Sequence, residues 1–401
     1  MREFQIVHQA IHQCCPELHA KRLNSLMAAS EALFHSDTLT LTQLGRQMPA
    51  TCHVKHSIKR MDRLLGNHRL HNERMAVYRW QATLLCTATM PVILVDWADI
   101  REMQRLMVLR ASVALSGRSV TLYERAFTLE EHNTKQAHRC FLKELASVLP
   151  EGNIPLIVTD AGFKNPWFRA VEQQGWFWLS RVRGRVGIAD IGCDNWQPAS
   201  KMNEIASSRC RYLGLRRLAR SEPVTCGIYL YRAKSRGRKS QRSTTTNSHH
   251  PGSGLYSRAA KEAWILATNL PENTFKPVQL VKLYRKRMQI EETFRDLKSP
   301  AYGFGLRQSR TRCPERFDIM LLIALVLQLV LWWVGLLAKA RGWQRHFQAN
   351  TVRTRNVLSM VRLGKEVLRH QGYRLTRRDI QKGALLFIRE VRKNGDVLVD
   401  L

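Results

Sequence analysis

Between Met320 and Ala338 the chain reads MLLIALVLQLVLWWVGLLA, nineteen residues without a formal charge. A helix that is apolar on every side has two stable homes. One is the hydrocarbon of a bilayer, which takes about 20 such residues, and the other is the middle of a large domain. Gln328 sits near the centre of the run, where a bilayer offers its amide nothing to bond. The chain of 401 residues allows two or three domains at about 150 residues each, so a core large enough to surround such a helix is within reach.

Charge narrows the partners. Lys and Arg number 64 against 32 Asp and Glu, a net charge of +32. A field of that size favours a polyanion, with nucleic acid ahead of an anionic membrane surface. Ribosomal and nucleoid proteins are as basic but rarely as long. The nine cysteines are odd in number and form no C-x2-C pair. They read as reduced cytosolic thiols, not as a disulfide framework or a zinc site. The N-terminal MREFQIVHQA has no signal-peptide architecture. A cytoplasmic protein that works on DNA, with no membrane partner, is the expectation.

Residues 1–85 read as helical. Leu41, Leu44 and Met48, then Ile58, Met61, Leu64 and Leu65, have helical spacing around a turn at Pro49. The second of these helices carries Lys55, Lys59, Arg60 and Arg63. A helix-turn-helix-like DNA reader and a plain hairpin with a solvated basic face both fit. From Met90 the pattern changes to strands. MPVILVDW ends in Asp96, RLMVLRASVAL and RSVTLYERAF follow, and a helix is expected over about 130–149. IPLIVTDAGF is a further strand ending at Asp160, with a helix from about Asn165 and a fifth strand in GWFWLSRVRG. The fold class is α/β with a mixed sheet. Over about 185–260 the signal weakens, apart from a strand in CGIYLYRAKS. A cationic Ser/Thr/Gly loop follows, with Arg236, Arg238 and Lys239 in it, where DNA contact is favoured over a solvated linker. EAWILATNLP restores the strand pattern.

The next stretch, YRKRMQIEETFRDLK from Tyr284 to Lys298, reads as one helix. At about 100° per residue, Tyr284, Arg287, Glu291 and Lys298 fall within roughly 60° of arc. Leu283, Ile290, Phe294 and Leu297 form an adjoining apolar stripe. Such a helix docks on a core and presents one carboxylate among cations. Asp96 and Asp160 at strand ends and Glu291 on the helix make three carboxylates, which crowd together only around cations. Mg²⁺ suits hard oxygen ligands and phosphate substrates, and two such ions can activate a nucleophile and stabilise a leaving 3′-oxygen.

The spacing Tyr284-x2-Arg287-x3-Glu291-x6-Lys298 resembles the Y-R-E-K signature of bacterial cut-and-paste DDE transposases of the insertion-sequence-four family. LVDWADIR around Asp96 and VTDAGF around Asp160 resemble the other two acidic motifs of that family. The likeness extends through KRLNSL, IKRMDRLLGN, LMVLRASVAL, RMQIEETFRDLKSPAYG and ERFDIMLLIAL, over nearly the whole chain. It implies a ribonuclease-H-like mixed-sheet core preceded by a helical DNA-binding domain over 1–85. The core would take residues 86–184 and 271–340, split by a β-rich insertion over 185–270, with a helical region over 341–401. The apolar run then becomes a core helix. Asp96, Asp160 and Glu291 become the metal-binding catalytic triad, with Mg²⁺ as cofactor and Mn²⁺ as its substitute.

The same likeness assigns Tyr284, Arg287 and Lys298 to DNA phosphates. It suggests Trp264 as a platform for a flipped base, against a plain core role. Arg181 and Arg183, two apart on one strand face, are candidate phosphate contacts with Lys59, Arg60 and Arg63. Trp97 reads as packing. The implied partners are terminal inverted-repeat DNA and target DNA, a second copy on paired ends, and a host DNA-bending protein. A metal-dependent nuclease on the same core and a non-catalytic basic DNA-binding protein are the alternatives.

Overall fold

The computed structural model describes residues 1–49, 52–101, 106–233, 262–299, 303–352 and 354–395. The chain divides into two compact units, Met1–Pro155 with Met288–Leu401, and Leu156–Arg287. The first unit opens with α1 (Arg2–Cys14), α2 (Ala20–Ser36), α3 (Leu41–Gln47), α4 (Val54–Leu65) and α5 (His68–Leu85). It continues with β1 (Val92–Arg101), β2 (Leu106–Ala114), β3 (Ser119–Thr128) and α6 (Lys135–Val148). The second unit holds β4 (Leu156–Thr159), α7 (Asn165–Glu172), β5 (Phe177–Val182), β6 (Gly187–Asp190), β7 (Gln197–Pro198), β8 (Arg211–Leu218), β9 (Val224–Tyr231), β10 (Trp264–Thr268) and α8 (Pro277–Lys286). The chain returns to the first unit as α9 (Met288–Lys298), α10 (Pro314–Ala340), α11 (Met360–Arg369) and α12 (Arg377–Gly395).

The charge-free run lies inside α10. Its most apolar window has a mean hydropathy of 2.6 and is entirely buried in the protein. Helices α2, α5, α11 and α12 and strand β3 pack around it, so it is the centre of the first unit's core. Close approach is built in: a Cβ at Gly335 would stand 2.0 Å from the Met360 carbonyl oxygen, and one at Gly364 2.2 Å from that of Leu331. Asp318 is the buried acid of α10. It accepts the Ala126 N–H at 2.7 Å and pairs with His71 at 3.0 Å and Arg74 at 3.2 Å. One carboxylate thereby ties α10 to β3 and α5.

Strands β1, β2 and β3 form an antiparallel meander in this unit. Here the sequence reading of Asp96 is corrected. The strand does not end there but runs on to Arg101, and Asp96 pairs with Arg110 of β2 in mid-strand. The pairing continues because Ala98 and Ile100 keep burying the alternate positions. Helices α3 and α4 stand where the spacing placed them. Leu44, Met61, Leu64 and Leu65 are buried, while Lys59, Arg60 and Arg63 are exposed.

In the second unit β4 and β5 run parallel, and β5, β10, β9, β8, β6 and β7 follow in antiparallel order. The sheet is mixed, as expected. Helix α7 covers it, with Phe168 stacked on Trp178 at 4.1 Å. The weakly patterned stretch contains β6, β7 and β8 as well as β9. Strand β8 is half-exposed along most of its length, so it lacks the alternation that marks a strand. Arg236, Arg238 and Lys239 lie outside the described residues.

Candidate active site

Two of the three acids belong to the first unit. Asp96 on β1 and Glu291 on α9 line one cavity of about 480 Å³, together with Trp97, Phe294, Arg295, Lys298 and Arg307. Strand pairing holds Asp96 rigidly. Helix α9 buries Ile290, Thr293, Phe294 and Leu297 and turns Glu291 outward. Glu291 and Lys298 are seven residues apart, about two turns, so they share one side of α9.

The reading of one unbroken helix from Tyr284 to Lys298 is corrected. Helix α8 ends at Lys286 and α9 begins at Met288. The Arg287 N–H bonds the Tyr284 carbonyl three residues back, at 3.1 Å, a tightened turn that separates the two helices. Tyr284 and Arg287 thus fall in the second unit, and Glu291 and Lys298 in the first.

Lys298 is perturbed by its surroundings. Burial, reinforced by Arg307 and Arg110, pushes its ammonium down to about 8, while Asp99 and Asp96 pull it back. The neighbouring acids Asp296 and Glu292 are both paired with Arg118, and Arg295 also reaches Glu292. Trp97 packs edge-on against Phe127 and His132 at 5.3 and 5.0 Å. Its indole N–H donates to His138 at 3.4 Å, and burial pushes that imidazole down to about 4, so it stays a neutral acceptor.

The second unit holds Asp160 one residue past β4. Its Oδ1 accepts the Gly162 N–H at 2.8 Å, and its carbonyl accepts the Ser180 hydroxyl at 2.9 Å. A Cβ at Gly162 would stand 2.9 Å from Oδ1, so any side chain there would shift the carboxylate from its seat. Tyr284 is buried, edge-on to Trp264 at 5.1 Å, and hydrogen-bonded to Arg287. Burial raises its phenol to about 12, Arg287 and Arg181 pull it back, and Asp160 adds to the rise. Trp264 opens β10 and faces Tyr231 across the ladder. Arg181 and Arg183 both pair with Glu262, at 3.1 and 2.6 Å. Burial, reinforced by Arg183, lowers the Arg181 guanidinium.

Three cations escaped the sequence reading. Arg295 and Arg307 line the cavity, and Arg110 lies buried opposite Asp96. Arg110 left a readable signal as the one charge in the apolar strand LMVLRASVA. Arg295 and Arg307 left none in so basic a chain.

Two carboxylates on a cavity wall, without sulfur or imidazole among the lining residues, make a hard oxygen set that suits Mg²⁺ or Mn²⁺. Among the described residues no three His, Cys, Asp or Glu side chains stand ready-made around a metal position. Asp96 and Glu291 fit as part of a shell that Mg²⁺ completes with waters and substrate phosphates.

An α/β core with a mixed sheet and an acid-lined cavity in a strongly basic chain suits phosphoryl transfer on nucleic acid. The family described as "Transposase DDE domain" matches residues 87–329, more than half of the chain. The chain belongs to the DDE transposases, enzymes that cleave DNA, join strands and use divalent metal ions. The architecture is consistent with their ribonuclease-H-like core. No curated protein matches the chain.

Proposed function

We propose that the chain is a cut-and-paste transposase of the insertion-sequence-four family, close to the transposase of the composite tetracycline-resistance transposon ten. It would bind the terminal inverted repeats of its element and act as a homodimer on paired ends, since two ends need two active sites. A host DNA-bending protein would assist. The observation that carries the reading is the cavity in which Asp96 and Glu291 meet Lys298, Arg295 and Arg307.

Asp96, Asp160 and Glu291 would hold Mg²⁺, which would make an attacking water or 3′-hydroxyl more acidic and would stabilise the leaving 3′-oxygen. Each step exchanges one phosphorus–oxygen bond for another. Water nicks the transposon end and frees a 3′-hydroxyl. That hydroxyl attacks the opposite strand, closing a hairpin and releasing flanking DNA. Water reopens the hairpin, and the 3′-hydroxyl attacks the target. Lys298, Tyr284 and Arg287 would grip end phosphates. Lys59, Arg60 and Arg63 would contact DNA from α4, with Arg181, Arg183, Arg236, Arg238 and Lys239 as further contacts. Trp264 would stack on a base displaced to let the hairpin bend, offsetting its unstacking.

The test is a time course on labelled inverted-repeat DNA with Mg²⁺. The expected order is nick, hairpin, flush end. Trp264→Ala should nick normally and accumulate the nick. Flush release without a hairpin would contradict the pathway.

A further inference from the structure

Three charges stand in a row across the first unit's meander. Asp96 of β1 pairs with Arg110 of β2, and Arg110 pairs with Glu124 of β3. Directly opposed residues share a sheet face, so the signs alternate along one face. Arg110 is 1% exposed and Glu124 2%. One oxygen of Glu124, Oε2, accepts both Nε–H at 2.8 Å and Nη2–H at 2.5 Å, which orients the guanidinium. Nη1 is buried and has no hydrogen-bond partner among the described residues. The guanidinium lies 4.4 Å over the Phe294 ring. Phe294 lines the acid cavity, three residues after Glu291. Arg110 therefore touches the helix that carries Glu291 and stands opposite Asp96. An arginine keeps its charge at every working pH, and a buried charge is little screened by salt.

We propose that Arg110 is a buried, fixed counter-charge behind the acid cavity, adding to Arg295 and Arg307 on its wall, offsetting the repulsion between Asp96 and Glu291 and helping to set how tightly they hold a divalent cation. It is a positioning residue that acts through the two carboxylates. The proposal rests on the reading of those carboxylates as cation ligands. Glu124 moderates the effect: it anchors the guanidinium and neutralises part of its field.

The test is Mn²⁺ binding to the full chain without DNA, followed by electron paramagnetic resonance of the free ion. Glu124→Gln leaves the arginine uncompensated and should weaken Mn²⁺ binding. The double variant Arg110→Gln/Glu124→Gln removes the nearer positive charge and should tighten it. The two dissociation constants should differ on the order of tenfold, the effect of about one unit charge at short range in a water-like dielectric. Arg110→Lys keeps the charge and should bind as wild type does. Asp96→Asn should lose the site. A merely structural arginine would move both glutamine variants toward weaker binding, and that result, or no change in either, overturns the proposal. Should the double variant fail to fold in a melting experiment, Arg110→Lys and Glu124→Gln decide together: wild-type binding by the first and weaker binding by the second is expected, and weaker binding by both, or unchanged or tighter binding by Glu124→Gln, overturns the proposal. Wild-type binding by Asp96→Asn would instead show that the reading of Asp96 is wrong, and this proposal would fall with it.

Discussion

The Thr293 hydroxyl accepts the Ser119 N–H at 3.0 Å and lies 3.0 Å from the carbonyl oxygen of the same residue. Thr293 is two residues from Glu291 on α9, and Ser119 opens β3. Next to Ser119, Arg118 reaches Asp296 at 2.7 Å and Glu292 at 3.4 Å. One end of a strand thus clamps the buried and flanking sides of the helix that presents Glu291. Thr293→Val keeps the shape and strands the buried Ser119 N–H. It should cost about 1–3 kcal/mol in urea unfolding, the penalty of a buried unsatisfied donor. End cleavage should fall further than end binding.

Lys298 gives the protein a pH dependence with a definite sign. Its folded-state pKa is pushed down to about 8, so the ammonium is lost as pH rises through that value. A phosphate contact needs the charged form. Binding of end DNA without metal should therefore weaken above about pH 8, with a slope of up to about one log unit per pH unit. Lys298→Met should bind weakly and lose this inflection, and Lys298→Arg should move it out of range. A wild-type profile flat from pH 7 to about 9.5 would mean that Lys298 does not touch phosphate.

The exposed cations of α4 separate a DNA reader from a plain hairpin. Replacing Lys59, Arg60 and Arg63 with Ala should weaken end binding and flatten its salt dependence by roughly 0.9 in log–log slope per lost phosphate contact. An unchanged slope in filter binding would make α4 a solvated face.

Gly364 meets the Leu331 carbonyl so closely that any side chain has to move a helix. Gly364→Val should cost about 1–3 kcal/mol or more by overpacking. Melting of the full chain reads it, and a neutral result would mean that α10 and α11 are not packed this way.

The parts legible in sequence were those with strong periodicity. Leu44, Met61 and Leu64 repeat with helical spacing, and α3 and α4 bury them. Val95 and Ile157 sit in apolar runs that became β1 and β4. The long apolar run reads as a core helix from its central glutamine and from the resemblance, and the packing of α2, α11 and α12 around it agrees. Strand β8 was illegible because Tyr212, Leu213 and Arg216 are all half-exposed, leaving no dry face to imprint a period of two. The break at Arg287 was hidden as well. Its residues are good helix formers on both sides, and the separation lies in one tightened backbone turn. Within the site, spacing along α9 placed Glu291 and Lys298 together. Arg110 depends on strand register, which spacing within one strand does not report.

The most direct test of the central claim is cleavage of labelled inverted-repeat DNA in Mg²⁺ by wild type and by Asp96→Asn, Asp160→Asn and Glu291→Gln, each checked for end binding. The account predicts that every variant binds the end and none yields nick, hairpin or flush product. A variant that still cuts would remove that residue from the triad, and a wild type that binds without cutting would contradict the account.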